Sequence, residues 1–270
     1  MNLISRAIFI LINLLGLSLF TWPLFLNVDE TFLRDLSQAT WLAALLGICA
    51  CLLLVTQINS RLLDSKSVAI VAVLVALISA LRLLGAGAVG IEPMWFLLIL
   101  AARVFGAQLG LVIAILSMLV SGIITGGIGP WLPFQMLAAG WVAIGVGLLP
   151  NFSSLRVERA LLALYGAFTA LVFGILMDLQ LWPWLLGTDT QLSYLPGGSF
   201  SENLSRFFTF HFATALSWDL PRSIVTAALL LITAKPILGS LRRAKTRVEA
   251  VADWRISNEL AMEQKVASRL

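Results

Sequence analysis

The chain reads as a series of apolar runs separated by short polar or glycine-rich breaks. The runs lie near 7–27, 39–57, 67–86, 93–106, 108–124, 131–149, 159–182 and 205–235. Most approach the ~20 residues that an α-helix needs to cross a hydrocarbon core. None shows the apolar–polar alternation of a membrane β-barrel. The pattern therefore predicts an all-α, polytopic membrane protein with about eight helices. The fourth run is short, and Gly106 separates it from the fifth. The last run is long and contains Pro221, which predicts a kink or tilt. No small-residue cleavage site follows the first run, so it is expected to be a retained helix.

Composition supports the membrane assignment. The chain is 60% hydrophobic with a mean hydropathy of +0.97, and only 12% of its residues are charged. A soluble domain carries about 25%. The basic residues cluster by position. Arg6, Arg61, Lys66, Arg103, Arg156, Arg159, Lys235, Arg242, Arg243, Lys245 and Arg247 fall on one side if eight helices alternate. Asp29, Glu30, Asp35, Glu92, Asp189 and Glu202 fall on the other, with Arg34 the lone basic residue there well outside a helix. The positive-inside rule then places both termini in the cytoplasm of a multi-pass protein of the cell membrane. It also accounts for the pI near 9.5 without a nucleic-acid partner. Residues 240–270 read as a polar cytoplasmic tail, either solvated or lying along an anionic leaflet.

Ionisable groups inside membrane segments are costly and face protein or water. Arg82, Glu92, Gln135, Asp178 and His211 come from separate segments but share a similar depth near the acidic side. Trp95, Trp131 and Trp141 lie on the same segments. Together these residues predict an apolar cup with a few polar groups, open to the outside. Alternatively, Arg82, Glu92 and Asp178 snorkel to water. Two glycine-rich loops, 85–93 and 126–130, and a long aromatic loop, 181–203, border this region and suit lids. Trp182, Trp184 and Tyr194 could equally form an interfacial belt. Asp219 and Arg222 are three apart on one helix and are read as a structural ion pair. Ala72, Ala76 and Ala80 recur every four residues and make a smooth ridge that another helix can approach.

Catalytic signals are sparse. There is no Walker A, H-E-x-x-H or nucleophile-elbow motif. His211 and Ser217 lie on different helix faces, so they make no local dyad. Cys49 and Cys51 could be a redox or metal pair, but metal sites usually need further ligands, and they read as small residues of an apolar run. No cofactor or resident metal is expected.

From Ser67 to about Gly239 the chain resembles the substrate-binding S component of energy-coupling factor transporters. The resemblance rests on the alanine-rich helix ending in "LRLLGAG", then "EPMWFLLILAARVFGAQLG", "TGGIGPWLPFQMLAAGW" and "WDLPR". It implies a six-helix core over 67–239, preceded by an extra helix pair in 1–58 that departs from the family pattern. It implies a vitamin ligand near the outer face, with the cobalamin branch suggested by "GPWLPFQM". It also implies a transmembrane coupling subunit docked on Ala72, Ala76 and Ala80, two cytoplasmic ATPases as further partners, and no enzymatic activity of the chain itself. The competing expectations are a membrane scaffold subunit and an intramembrane enzyme using His211 with Asp178 or Asp219.

Overall fold

Proline and glycine punctuate the chain where the loops turn into helices. Pro93 and Pro130 each stand at a helix start, where the missing N–H costs no intrahelical bond. Ser199 caps another helix by accepting from the Glu202 N–H at 3.3 Å. A computed structural model describes residues 3–26, 28, 37–58, 65–85, 89–185 and 190–267. Asp29, Glu30, Arg34, Asp35, Arg61, Asp189 and the middle of the first glycine loop (86–88) lie outside the described residues.

Among the described residues the structure is all helical. The elements are α1 (Leu3–Phe25), α2 (Ser37–Ile58), α3 (Ser65–Leu84), α4 (Met94–Ile124), α5 (Trp131–Gly147), α6 (Leu155–Leu185), α7 (Phe200–Thr214) and α8 (Leu216–Ala267). Five helical stretches are long and apolar enough to cross a membrane: Arg6–Phe25, Ser67–Leu84, Met94–Ile124, Leu155–Leu185 and Leu216–Val248. Two shorter apolar helices, Thr40–Val55 and Trp131–Gly147, pack among them. Large apolar side chains such as Leu11, Leu164, Phe168 and Ile232 point outward, as suits a lipid-facing surface.

The expected break at Gly106 is a reversal of the chain. Gly106 has φ 87° and ψ 172°, a conformation open to glycine but strained for other residues. After it the helix folds back, so that a Cβ on Gly110 would meet the Ala102 Cβ at 2.6 Å. α4 is thus a helical hairpin, and it forms the centre of the bundle against α3, α5 and α8.

The last apolar run departs from expectation. It was expected to be one helix over 205–235, bent at Pro221. The chain instead breaks at Ala215, between α7 and α8. α7 is amphipathic: Asn203, Phe207, Phe210 and His211 are buried on one stripe, and Phe208 and Phe212 are exposed. The stretch 240–267 is also no separate element, because α8 continues through it.

The extra N-terminal pair packs mainly on α5 and α6, with lesser contacts to α4 and α7. Its clearest joint is polar: Trp141 Nε1 donates to Asn13 Oδ1 at 2.6 Å. Phe20 packs beside it against Phe134 and Trp141. Ala72, Ala76 and Ala80 remain exposed on α3.

The candidate site at the glycine-loop end

Residues 89–93, 125–130 and 190–199 share one end of the bundle. The first is held close to α8: Gly90, at φ 66°, leaves no room for a Cβ, which would sit 2.1 Å from the Trp218 carbonyl oxygen. This contact places Glu92 beside Arg222. Glu92 Oε1 accepts from Arg222 Nε at 3.0 Å and from Nη2 at 2.9 Å, and Oε2 accepts from Trp95 Nε1 at 2.8 Å. Arg222 Nη1 also donates to Asp219 Oδ1 at 2.6 Å, so the expected pair forms and carries a third member, Glu92. The guanidinium lies 5.4 Å from the centre of the Phe173 ring. Trp95 is buried behind it, edge-on to Phe173.

Across a cavity from Arg222 stands Arg82, at the end of α3. Its Nη1 donates to Ser121 Oγ at 2.8 Å and to the Met118 carbonyl at 3.3 Å. Its Nη2 donates to Gln135 Oε1 at 2.7 Å. The cavity between the two arginines has a volume of about 360 Å³. Arg82, Glu92, Gln135, Phe173, Met177 and Arg222 are among its walls. A second chamber of about 410 Å³ adjoins it, sharing Met177 and Arg222 and reaching Asp178 and Asp219. Here His211 Nδ1 is 2.6 Å from Asp178 Oδ2, while Nε2 is 3.7 Å from Asp219 Oδ2, beyond hydrogen-bond length. That Asp219 oxygen is buried without a hydrogen-bond partner. Gly174 makes the space for this carboxylate, since a Cβ there would lie 2.0 Å from it.

The structure brings together most of the residues expected in a cup. Arg82, Glu92 and Gln135 line the first chamber, and Asp178 lines the second. Trp95 and His211 are buried supports of these groups. Two expected ligand residues are not brought in. Trp131 is exposed and donates to the Gly127 carbonyl of its own loop at 3.2 Å. Trp141 faces α1 through Asn13. Both sit on α5 with Gln135: Trp141, six residues further on, is turned to another face, whereas Trp131 is on the Gln135 side but stands at the helix start and folds back onto its own loop.

The aromatic loop forms its own cluster. Trp182 and Tyr194 are buried and stack edge-on, and Phe207 closes the group. Trp182 Nε1 donates to the Leu192 carbonyl at 2.7 Å, and the Tyr194 hydroxyl donates to Leu26 at the end of α1. An exposed interfacial belt is therefore not what these two residues form. Sequence reasoning missed Ser121 and Asn13. Ser117 and Ser121, one turn apart in an apolar helix, were the available signal for a polar partner of Arg82.

The opposite end of the bundle holds a second polar cluster. Glu158 is buried and accepts from Arg103 at 2.9 Å and from Arg242 at 2.7 and 2.8 Å. Arg103 also donates to the carbonyls of Leu149 and Pro150, and Lys245 to that of Val104. This cluster ties the Gly106 turn to the loop before α6 and to α8.

Comparison with protein-family models, with curated proteins and with solved structures finds no match for the chain.

Proposed function

We propose that this protein is a substrate-capturing membrane subunit of the energy-coupling factor type. It spans the cell membrane eight times, with both termini cytoplasmic and the glycine-loop end outside. The Gly106 reversal supports this count, because it splits α4 into two passes, and α8 alone is long enough for the last crossing, which α7 was expected to share. The observation that carries the reading is the chamber between Arg82 and Arg222. Polar groups from α3, α5 and α8 and from the loop after α3 converge there on a void lined by Phe173, Met118 and Met177. That is the anatomy of a small-molecule site: apolar side chains interleaved with polar groups that are fixed in place by one another.

The ligand is a vitamin-class molecule, bound without chemistry by this chain. Each chamber lies toward the lower end of the ~300–1,000 Å³ typical of ligand pockets. A small vitamin fits one chamber, whereas cobalamin or a related corrinoid would need both opened into one by movement of Met177. The exposed Ala72, Ala76 and Ala80 face supports a coupling subunit docked on α3, with two cytoplasmic ATPases supplying the energy. Calorimetry with the purified protein tests this reading, cobalamin against a set of small vitamins. Submicromolar binding of one of them supports capture, and the size of the one that binds decides between the chambers. If a folded sample binds none, a scaffold role is favoured.

One observation favours a second reading, an intramembrane enzyme. His211 lies between Asp178 and Asp219, an arrangement able to hold and pass a proton. Full function of a His211→Ala protein would remove it.

A further inference from the structure

Two arginines face the same chamber, and their surroundings differ. Arg222 is held by two carboxylates, Glu92 and Asp219. Arg82 gives its hydrogen bonds to a hydroxyl, a backbone carbonyl and an amide oxygen, all neutral. Glu92, the carboxylate on the same chamber, has both oxygens engaged by Arg222 and Trp95. Among the described residues no carboxylate lies within ion-pair distance of Arg82. Glu92 acts on Arg82 only from across the chamber, and a guanidinium held in a low-dielectric cavity without a paired carboxylate favours an incoming anion. Gln135 adds to this preference. With its oxygen committed to Arg82, it keeps an amide nitrogen with two N–H donors for a ligand in the chamber it lines. Of the remaining walls, Phe173, Met118 and Met177 are apolar, and the Thr125 hydroxyl donates to the Ser121 carbonyl of its own helix.

We propose that the ligand of this chamber is an amphipathic anion, with a carboxylate or phosphate seated on Arg82 and Gln135 and an apolar body against Phe173 and the two methionines. This inference rests on the capture function proposed above and narrows it to a ligand class.

The test uses the full-length protein in detergent and measures binding by calorimetry. The probes are biotin, pantothenate and lipoate, each paired with its methyl ester, together with pyridoxal phosphate, thiamine and riboflavin. Binding of an acid but not its ester, or of the phosphate, is the expected result. Arg82→Gln should then weaken that binding on the order of a hundredfold, with Arg82→Lys recovering part of it. Should Arg82→Gln fail to fold, the acid–ester comparison on the unaltered protein still decides the question. Tight binding of thiamine or riboflavin, or equal binding of acid and ester, overturns the anion proposal and leaves vitamin capture standing. No binding of any probe, nor of cobalamin in the titration described above, overturns both, with one exception. If phosphatidylglycerol co-purifies with the protein and is lost in Arg82→Gln, the anion site stands as a lipid-headgroup site, and vitamin capture falls.

Discussion

The two ends of the bundle carry the same residue types in different electrostatic states. At the basic end, buried Glu158 meets Arg103 and Arg242, and the remaining Arg103 donors go to backbone carbonyls. Glu158 thus joins both arginines, one buried and one half-exposed, and the result is a closed lock around the Gly106 turn. At the glycine-loop end, Arg82 has neutral partners, one Asp219 oxygen has none, and two chambers lie between the groups. A membrane protein tolerates buried charge in two ways. Where the charges neutralise one another they fix structure; where they are left uncompensated beside a cavity they prepare a site.

That contrast can be broken at either end. The largest effect is expected from Glu158→Leu, which leaves Arg103 without its counter-charge. It should destabilise the protein by about 3–5 kcal/mol, read as a fall in the unfolding midpoint. Next comes Gly174→Ala, whose methyl group would displace the Asp219 carboxylate. Overpacking of this kind costs about 1–3 kcal/mol. It should also loosen the Asp219–Arg222–Glu92 chain, so ligand binding should weaken along with stability. Glu158→Leu, by contrast, should leave binding intact in whatever fraction remains folded. A smaller effect is expected for Trp141→Phe, which removes the bond to Asn13 outside both chambers. It should cost about 1 kcal/mol and leave ligand affinity unchanged in a titration. The smallest effect on the isolated chain is expected from Ala76→Trp, since Ala76 is exposed. Stability and ligand binding should be unaltered, while co-purification with a coupling subunit should be lost.

Much of the fold was legible in the sequence because apolar run length reports helices directly. Gly106 was readable as a break because a glycine between two apolar runs supplies the backbone freedom that a reversal needs. The residues of the α7–α8 junction were harder to read. Phe207, Phe208, Phe210 and Phe212 make the segment as apolar as a membrane span, and Ala215, where it breaks, is a good helix former that gives no warning. Pro221 was the visible breaker, yet it falls inside α8.

For the site, depth was legible and direction was not. Arg82, Glu92 and Gln135, which line one chamber, were grouped because each is a polar group at a similar height in an apolar segment. Trp131 and Trp141 were grouped with them for the same reason, and the fold places them outside that chamber. They share the height of Gln135 or the helix that carries it, but a tryptophan packs well against loop, lipid or a neighbouring helix, so its type does not say which face it occupies. Asn13 went unread because its partner, Trp141, is far away in sequence. Glu158 went unread because a lone acid among basic residues looks like ordinary loop charge until Arg103 and Arg242 are brought to it by the fold.

The most direct test of the central claim is a vitamin titration of three proteins: the unaltered chain, Met177→Trp and Trp131→Ala. Met177 borders both chambers, and Trp131 borders neither. The account predicts submicromolar binding of one vitamin by the unaltered chain, its loss in Met177→Trp and its retention in Trp131→Ala. Binding that survives Met177→Trp and disappears in Trp131→Ala would contradict it.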